Sequence, residues 1–137
     1  MNDGRTLIFL TALSLLAVPI ALFAHHGTAV YDTSKLVTVK GTVTEWSWAN
    51  PHCLLEFDVK DESGNAVHWI AETSNPTDMA AKGWSKRTFK PGDVVTVSMI
   101  AAKNGRPLGR IQQVMLNGQA LIAEKPPAGV SSEASKP

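Results

Sequence analysis

The sequence has one cysteine, Cys53, and one tyrosine, Tyr31, in a chain of 137 residues. A lone cysteine cannot close a disulfide within its own chain or form an all-thiolate zinc site, which excludes a disulfide-stapled miniprotein and a zinc ribbon. An excess of one charge is also lacking. With 13 Lys and Arg against 12 Asp and Glu, the net charge is +1, so nothing draws the chain as a whole toward nucleic acid, and no nucleic-acid partner is expected. Phosphate-cradling glycine loops, a serine, histidine and aspartate order and complete zinc motifs are all missing. No catalytic residue is assigned, and the chain is read as a single domain without enzymatic activity.

A long apolar stretch occurs at the start. After Arg5, residues 6–23 run almost without polar interruption past Ser14 and Pro19 to Ala24. This is the layout of a secretory signal peptide cut after Ala24, although Leu22 is larger than the residue preferred three places before the cut. The competing reading is an uncleaved anchor, since about 18 apolar residues lie at the lower edge of what spans a bilayer. Both readings put the remainder outside the cytoplasm, periplasmic or secreted, with membrane attachment only if the leader stays on. Residues 25–124 are then the folded domain, and residues 125–137, rich in Pro, Ser, Ala and Gly, are expected to be a disordered tail.

Within the domain, residues 35–48 (KLVTVKGTVTEWSW) are dense in β-branched and aromatic residues with period-two alternation. Val37, Val39 and Val43 share one phase, while Trp46 and Trp48 fall in the other, so a bulge is expected near Thr44 and Glu45, with Gly41 giving the strand freedom to bend. Asn50-Pro51 marks a turn. Cys53, Leu55, Phe57 and Val59 then alternate as a second strand, and Val67, Trp69 and Ala71 as a third beyond the Asp61 to Asn65 loop. Asn75-Pro76 begins a helix of about two turns that stops at Gly83. Lys90-Pro91-Gly92-Asp93 turns into a fourth strand, and Asn104-Gly105 separates it from a fifth over residues 108–116, followed by Asn117-Gly118 and an apolar coda at Leu121 and Ile122. Three strands, a short helix and two strands specify a mainly β, five-stranded OB-like barrel. An open α+β sheet or a small sandwich is the alternative.

The segments His25-His26, Tyr31-Asp32, Val37 to Val43, Asn50-Pro51-His52, Gly83-Trp84 and Lys90 to Val97 together resemble DUF6152, a domain of unknown function in small exported bacterial proteins. The similarity covers residues 25–122. It implies a periplasmic, single-domain β protein and brings no established activity or ligand. Cys53 and Leu22 depart from the family pattern.

Two groups of residues are candidates for a site. If the cut follows Ala24, His25 becomes the first residue, and its α-amino group and imidazole can chelate one metal ion, with His26, His52 or His68 adding an imidazole in the nitrogen-rich set that suits Cu(II). Against this stand two histidines at a frayed terminus that bind nothing, and a His52 that only braces its turn. Trp46, Trp48 and Trp84 form a candidate surface for a ligand or for a larger envelope partner, or else the core beneath the helix. Cys53 reads as a buried small hydrophobe, Glu56 and Asp58 as a solvated face, and Lys82, Lys86, Arg87 and Lys90 as a basic loop.

Overall fold

The computed structural model describes residues 30–125 and, as backbone, residues 131–134. Among these, the elements are β1 Tyr31–Ser47, β2 Leu54–Lys60, β3 Ala66–Glu72, α1 Pro76–Ala81, β4 Val94–Ala102, β5 Leu108–Leu116, β6 Gln119–Ile122 and β7 Ser131–Ala134. Five strands close into a barrel in the order β1-β2-β3-β5-β4 and back to β1. Every seam is antiparallel except β3 with β5, where Ile70 faces Leu108 and Glu72 faces Arg110 in parallel. With α1 between β3 and β4, this is the OB-like architecture that the order of sequence signals specifies.

Closure depends on β1, whose 17 residues serve two neighbours. Its first part pairs with β4 as far as Thr42, opposite Val94, and from Thr42 onward it pairs with β2. The register slips between Val43 and Glu45, where the alternation changes phase. The bulge keeps Val43 buried and still turns Trp46 and Trp48 inward against the core. Gly41 is required by close approach: a Cβ there would lie 2.6 Å from the Asp58 carbonyl oxygen and 2.8 Å from Cδ2 of Phe57.

A second slip, in β5, was not expected from the sequence. Ser98 pairs with Gln113 and Met99 with Ile111, which leaves Gln112 as the extra residue. Inward positions therefore change from Gly109 and Ile111 to Val114. Gln112 is only 1% exposed, because the chain leaving β6 crosses it: the amides of Ala123 and Glu124 both donate to its carbonyl, at 2.9 and 3.0 Å. The apolar coda of the sequence is strand β6, which forms a hairpin with β5 through Asn117 and Gly118, both at positive φ.

The core holds Leu55, Phe57, Val97, Met99 and Val114, all fully buried. Cys53 joins them, and burial pushes its thiol above the ordinary cysteine value, which leaves it a small hydrophobe. Helix α1 follows β3 and packs against the core through one side chain. Its N-cap is Asn75, whose side chain accepts from the Asp78 amide at 3.0 Å, Pro76 opens the first turn, and Met79 inserts into the core.

The reading of residues 125–137 as a disordered tail needs one correction. The backbone of β7 lies parallel to β1, with Lys35 opposite Ser131 and Thr38 opposite Ala134. Because β2 pairs only with the later part of β1, the earlier part offers a free backbone edge, and an edge recruits a strand whatever its side chains. The proposed leader, residues 1–24, and His25 and His26 lie outside the described residues. No helix among the described residues is long and apolar enough to cross a membrane.

Candidate functional site

The polar side chains that converge do so on the outer face of the β3–β5 seam. The β2–β3 ladder continues one step past the strand ends, with the Cys53 amide donating to the Ser74 carbonyl at 3.1 Å and the Thr73 amide to the Cys53 carbonyl at 2.9 Å. As Cys53 points inward, His52 is turned outward beside Glu72, and its Nδ1 lies 3.1 Å from Glu72 Oε2. Across the parallel seam, Arg110 reaches Glu72 at 3.6 Å and binds Glu124 through Nε and Nη2, at 2.7 and 3.2 Å. Tyr31, 6% exposed, closes the group from the start of β1 by donating its hydroxyl to Glu72.

The electrostatics of this group are mutually consistent. The hydrogen-bonded Arg110 guanidinium holds the Glu124 carboxyl below the ordinary glutamate value, while Glu124 in turn raises Arg110. Burial, and then the Glu72 carboxylate, push the Tyr31 phenol well above its usual value, so it stays a neutral donor. His52 Nε2 makes no hydrogen bond among the described residues, and the side chain is 45% exposed. An imidazole with one nitrogen fixed by a carboxylate and the other open is how metal-ligating histidines are commonly held. Among the described residues no three His, Cys, Asp or Glu side chains gather closely enough to hold a metal by themselves.

Glu72, Arg110, Glu124 and Tyr31 were not picked out as site residues from the sequence. One signal was present: Arg110 is the lone charge inside the apolar strand LGRIQQVML, and a charge there needs a partner.

His68, another possible imidazole ligand, is set apart by its neighbours. Its Nδ1 lies 2.8 Å from Asp58 and its Nε2 3.0 Å from Glu56, so both ring nitrogens are engaged. The residues read as a plain solvated face thus form a carboxylate clamp around a histidine. Hydrogen bonding to Asp58 first, and to Glu56 next, raises the His68 pKa. A raised histidine pKa stabilises the fold most below the unfolded value, about 6.5, and the gain is lost as pH rises through the folded value. Proton NMR is expected to find His68 titrating above an ordinary histidine, with Asp58→Asn moving it back down. An unchanged midpoint in that variant would show that the clamp does not exist in solution.

The three tryptophans have different fates. Trp84 is 3% exposed and belongs to the core, so as a surface anchor it is corrected: the chain turns at Gly83, whose φ is positive, and the indole packs within the core cluster. Trp46 and Trp48 are half-buried, with ring centroids 5.8 Å apart, and Trp46 packs edge-on to Phe89 at 5.1 Å. Trp46 Nε1 donates to the Ser85 carbonyl at 2.9 Å. In the basic loop, Lys82 donates to the Ala123 carbonyl, while Lys86, Arg87 and Lys90 form no ion pair among the described residues.

Fold and site together define a small OB-like β-barrel protein with a polar cluster beside the point where the chain enters the barrel. The chain belongs to the family of unknown function DUF6152, whose family model matches residues 12–111. No curated protein matches it.

Proposed function

We propose that this protein is an exported, non-catalytic binding module that holds Cu(II), or a similar transition-metal ion, between its mature N-terminus and His52. The supporting observation is the pairing of His52 Nδ1 with Glu72 beside Tyr31. That pairing leaves Nε2 open as a ligand and sits where the chain enters the barrel. Tyr31 lies six positions after His25 in the sequence, a length that spans up to about 20 Å when extended. The amine and imidazole of His25, and the imidazole of His26, are thus within covalent reach of His52 Nε2. Nitrogen ligands of this number suit Cu(II).

The reading depends on export and on a cut after Ala24, because the chelating amine does not exist in the precursor. A docking role for the tryptophan face has less support: Trp84 is interior, and the Trp46 N–H is already committed to Ser85.

The test is calorimetric titration of the chain beginning at His25 with Cu(II) and Zn(II). One equivalent of Cu(II) is expected to bind, with affinity falling about tenfold or more in His52→Ala and again when one alanine is added before His25, the scale typical of losing part of a metal site. Equal affinity with and without the added alanine, or an exported protein whose intact mass shows a different first residue, would overturn the reading.

A further inference from the structure

A cleft of about 550 Å3 opens between the bulge of β1 and the loop that joins α1 to β4, and none of its lining residues belongs to the His52 cluster. Trp46, Phe89 and Pro91 make its apolar part, and Lys86, Arg87 and Lys90 supply three cations, with Glu45 the single anion. We propose that this cleft binds a small aromatic anion, a ring system carrying a carboxylate, sulfonate or phosphate, with the ring against Trp46 and the anionic group among Lys86, Arg87 and Lys90.

The first argument is rigidity. Phe89, 4% exposed, and Trp84 anchor the loop in the core, and a set of short bonds fixes the backbone between and beyond them. Ser85 receives the Trp46 indole on its carbonyl at 2.9 Å, and its amide donates to Thr88 Oγ1 at 2.7 Å. The Arg87 amide donates to Ser85 Oγ at 3.1 Å, and the Lys90 amide to Asp93 Oδ2 at 3.0 Å. A wall ordered before the ligand arrives avoids the entropic cost of ordering it on binding. Trp46 already has Trp48, Trp84 and Phe89 against it, so its ring is fixed where it borders the cleft.

The second argument is charge. Lys86, Arg87 and Lys90 gather in five residues without an ion-pair partner among the described residues, whereas Arg110 is matched by two carboxylates. Cations beside an aromatic wall complement an amphiphilic anion, the apolar part of which gains by leaving water while the head keeps a counter-charge. The third is size. The cleft falls in the range of small-ligand sites, about 300–1,000 Å3, and the chain as a whole carries a net charge of only +1. A polyanion needs many phosphate contacts along an extended basic surface, which this local trio does not supply. Glu45 adds selectivity by repelling a ligand with a second anionic group on that side.

The probe is naphthalenesulfonate, compared with the neutral naphthalenesulfonamide and the cationic naphthyltrimethylammonium, with the Trp46 indole N–H followed by NMR. Saturable movement of that signal is expected with the sulfonate, about tenfold weaker binding in the exposed-loop double variant Lys86→Gln/Arg87→Gln, and tighter binding in Glu45→Gln, each on the scale of one or two surface charge pairs. The double variant changes only exposed side chains, so an unchanged unfolding curve separates lost binding from lost fold. The proposal is overturned if the three probes bind alike, if the double variant binds as well as the parent, or if anionic phospholipid vesicles capture the protein while the sulfonate leaves Trp46 unmoved. None of these readouts uses a metal or the N-terminus, so the outcome is independent of the copper reading.

Discussion

Replacing Phe57 with alanine is expected to cost about 3–5 kcal/mol and to lower Tm by about 15 °C or more. Phe57 lies on β2 and is flanked by both neighbouring strands, opposite Val43 on one side and Trp69 on the other, with no exposed surface. Its ring also fills the space that Gly41 leaves open by having no side chain. Removing the ring would open a cavity at the place where β1 bends to close the barrel. Because β1 is held on both sides there by backbone pairing, collapse cannot easily refill the gap. A domain of this size has about 5–15 kcal/mol in total, so a loss on this scale leaves little reserve. Val94→Ala, at a side chain 54% exposed, is the control and should change stability by less than about 0.5 kcal/mol. Urea unfolding measures both. A Phe57→Ala loss under about 1 kcal/mol would mean that the barrel does not close around this residue.

The second large effect is expected at Arg110. Arg110→Met keeps the aliphatic bulk and deletes the guanidinium, leaving Glu72, whose side chain is 18% exposed, beside an uncharged neighbour and facing the Tyr31 hydroxyl and His52 alone. The expected cost is about 2–3 kcal/mol at neutral pH, the scale of losing charge-assisted hydrogen bonds and stranding a half-buried carboxylate. Two further observations tie this cost to charge. Adding Glu72→Gln to Arg110→Met should restore part of the loss, because the stranded charge is then gone. The parent should also be more acid-sensitive than the variant. Glu124 is depressed by Arg110, so its contribution is present above the unfolded glutamate value, about 4.3, and is lost as pH falls through the lower folded value. With Arg110 removed, that part of the pH dependence disappears. Denaturation curves between neutral and acidic pH test both points; if the double variant is no more stable than the single one, packing and not charge sets the cost.

Much of the barrel was legible in the chain because its signals are local. Asn75-Pro76 with Gly83 fixed α1, Lys90-Pro91-Gly92-Asp93 launched β4, and the phase change after Val43 placed the β1 bulge, each through backbone preferences that act within a few residues. The β5 slip left its own trace, since Ile111 and Val114 cannot share a phase in a regular strand. The polar cluster was much less legible. Glu72 looks like any charged residue on the outward phase of a strand, and only the pairing of β3 with β5 brings it to Arg110.

The amino-acid order by itself determined the five barrel strands, the helix and its ends, the hairpin turns and the burial of Cys53, because alternation, capping and turn geometry are written in neighbouring residues. The tertiary structure alone decided that Trp84 is interior while Trp46 borders a cleft, that His68 is clamped by two carboxylates, and that His52, Glu72, Arg110 and Tyr31 meet. Those encounters depend on register between strands far apart in the chain, and register is set by how the whole barrel closes.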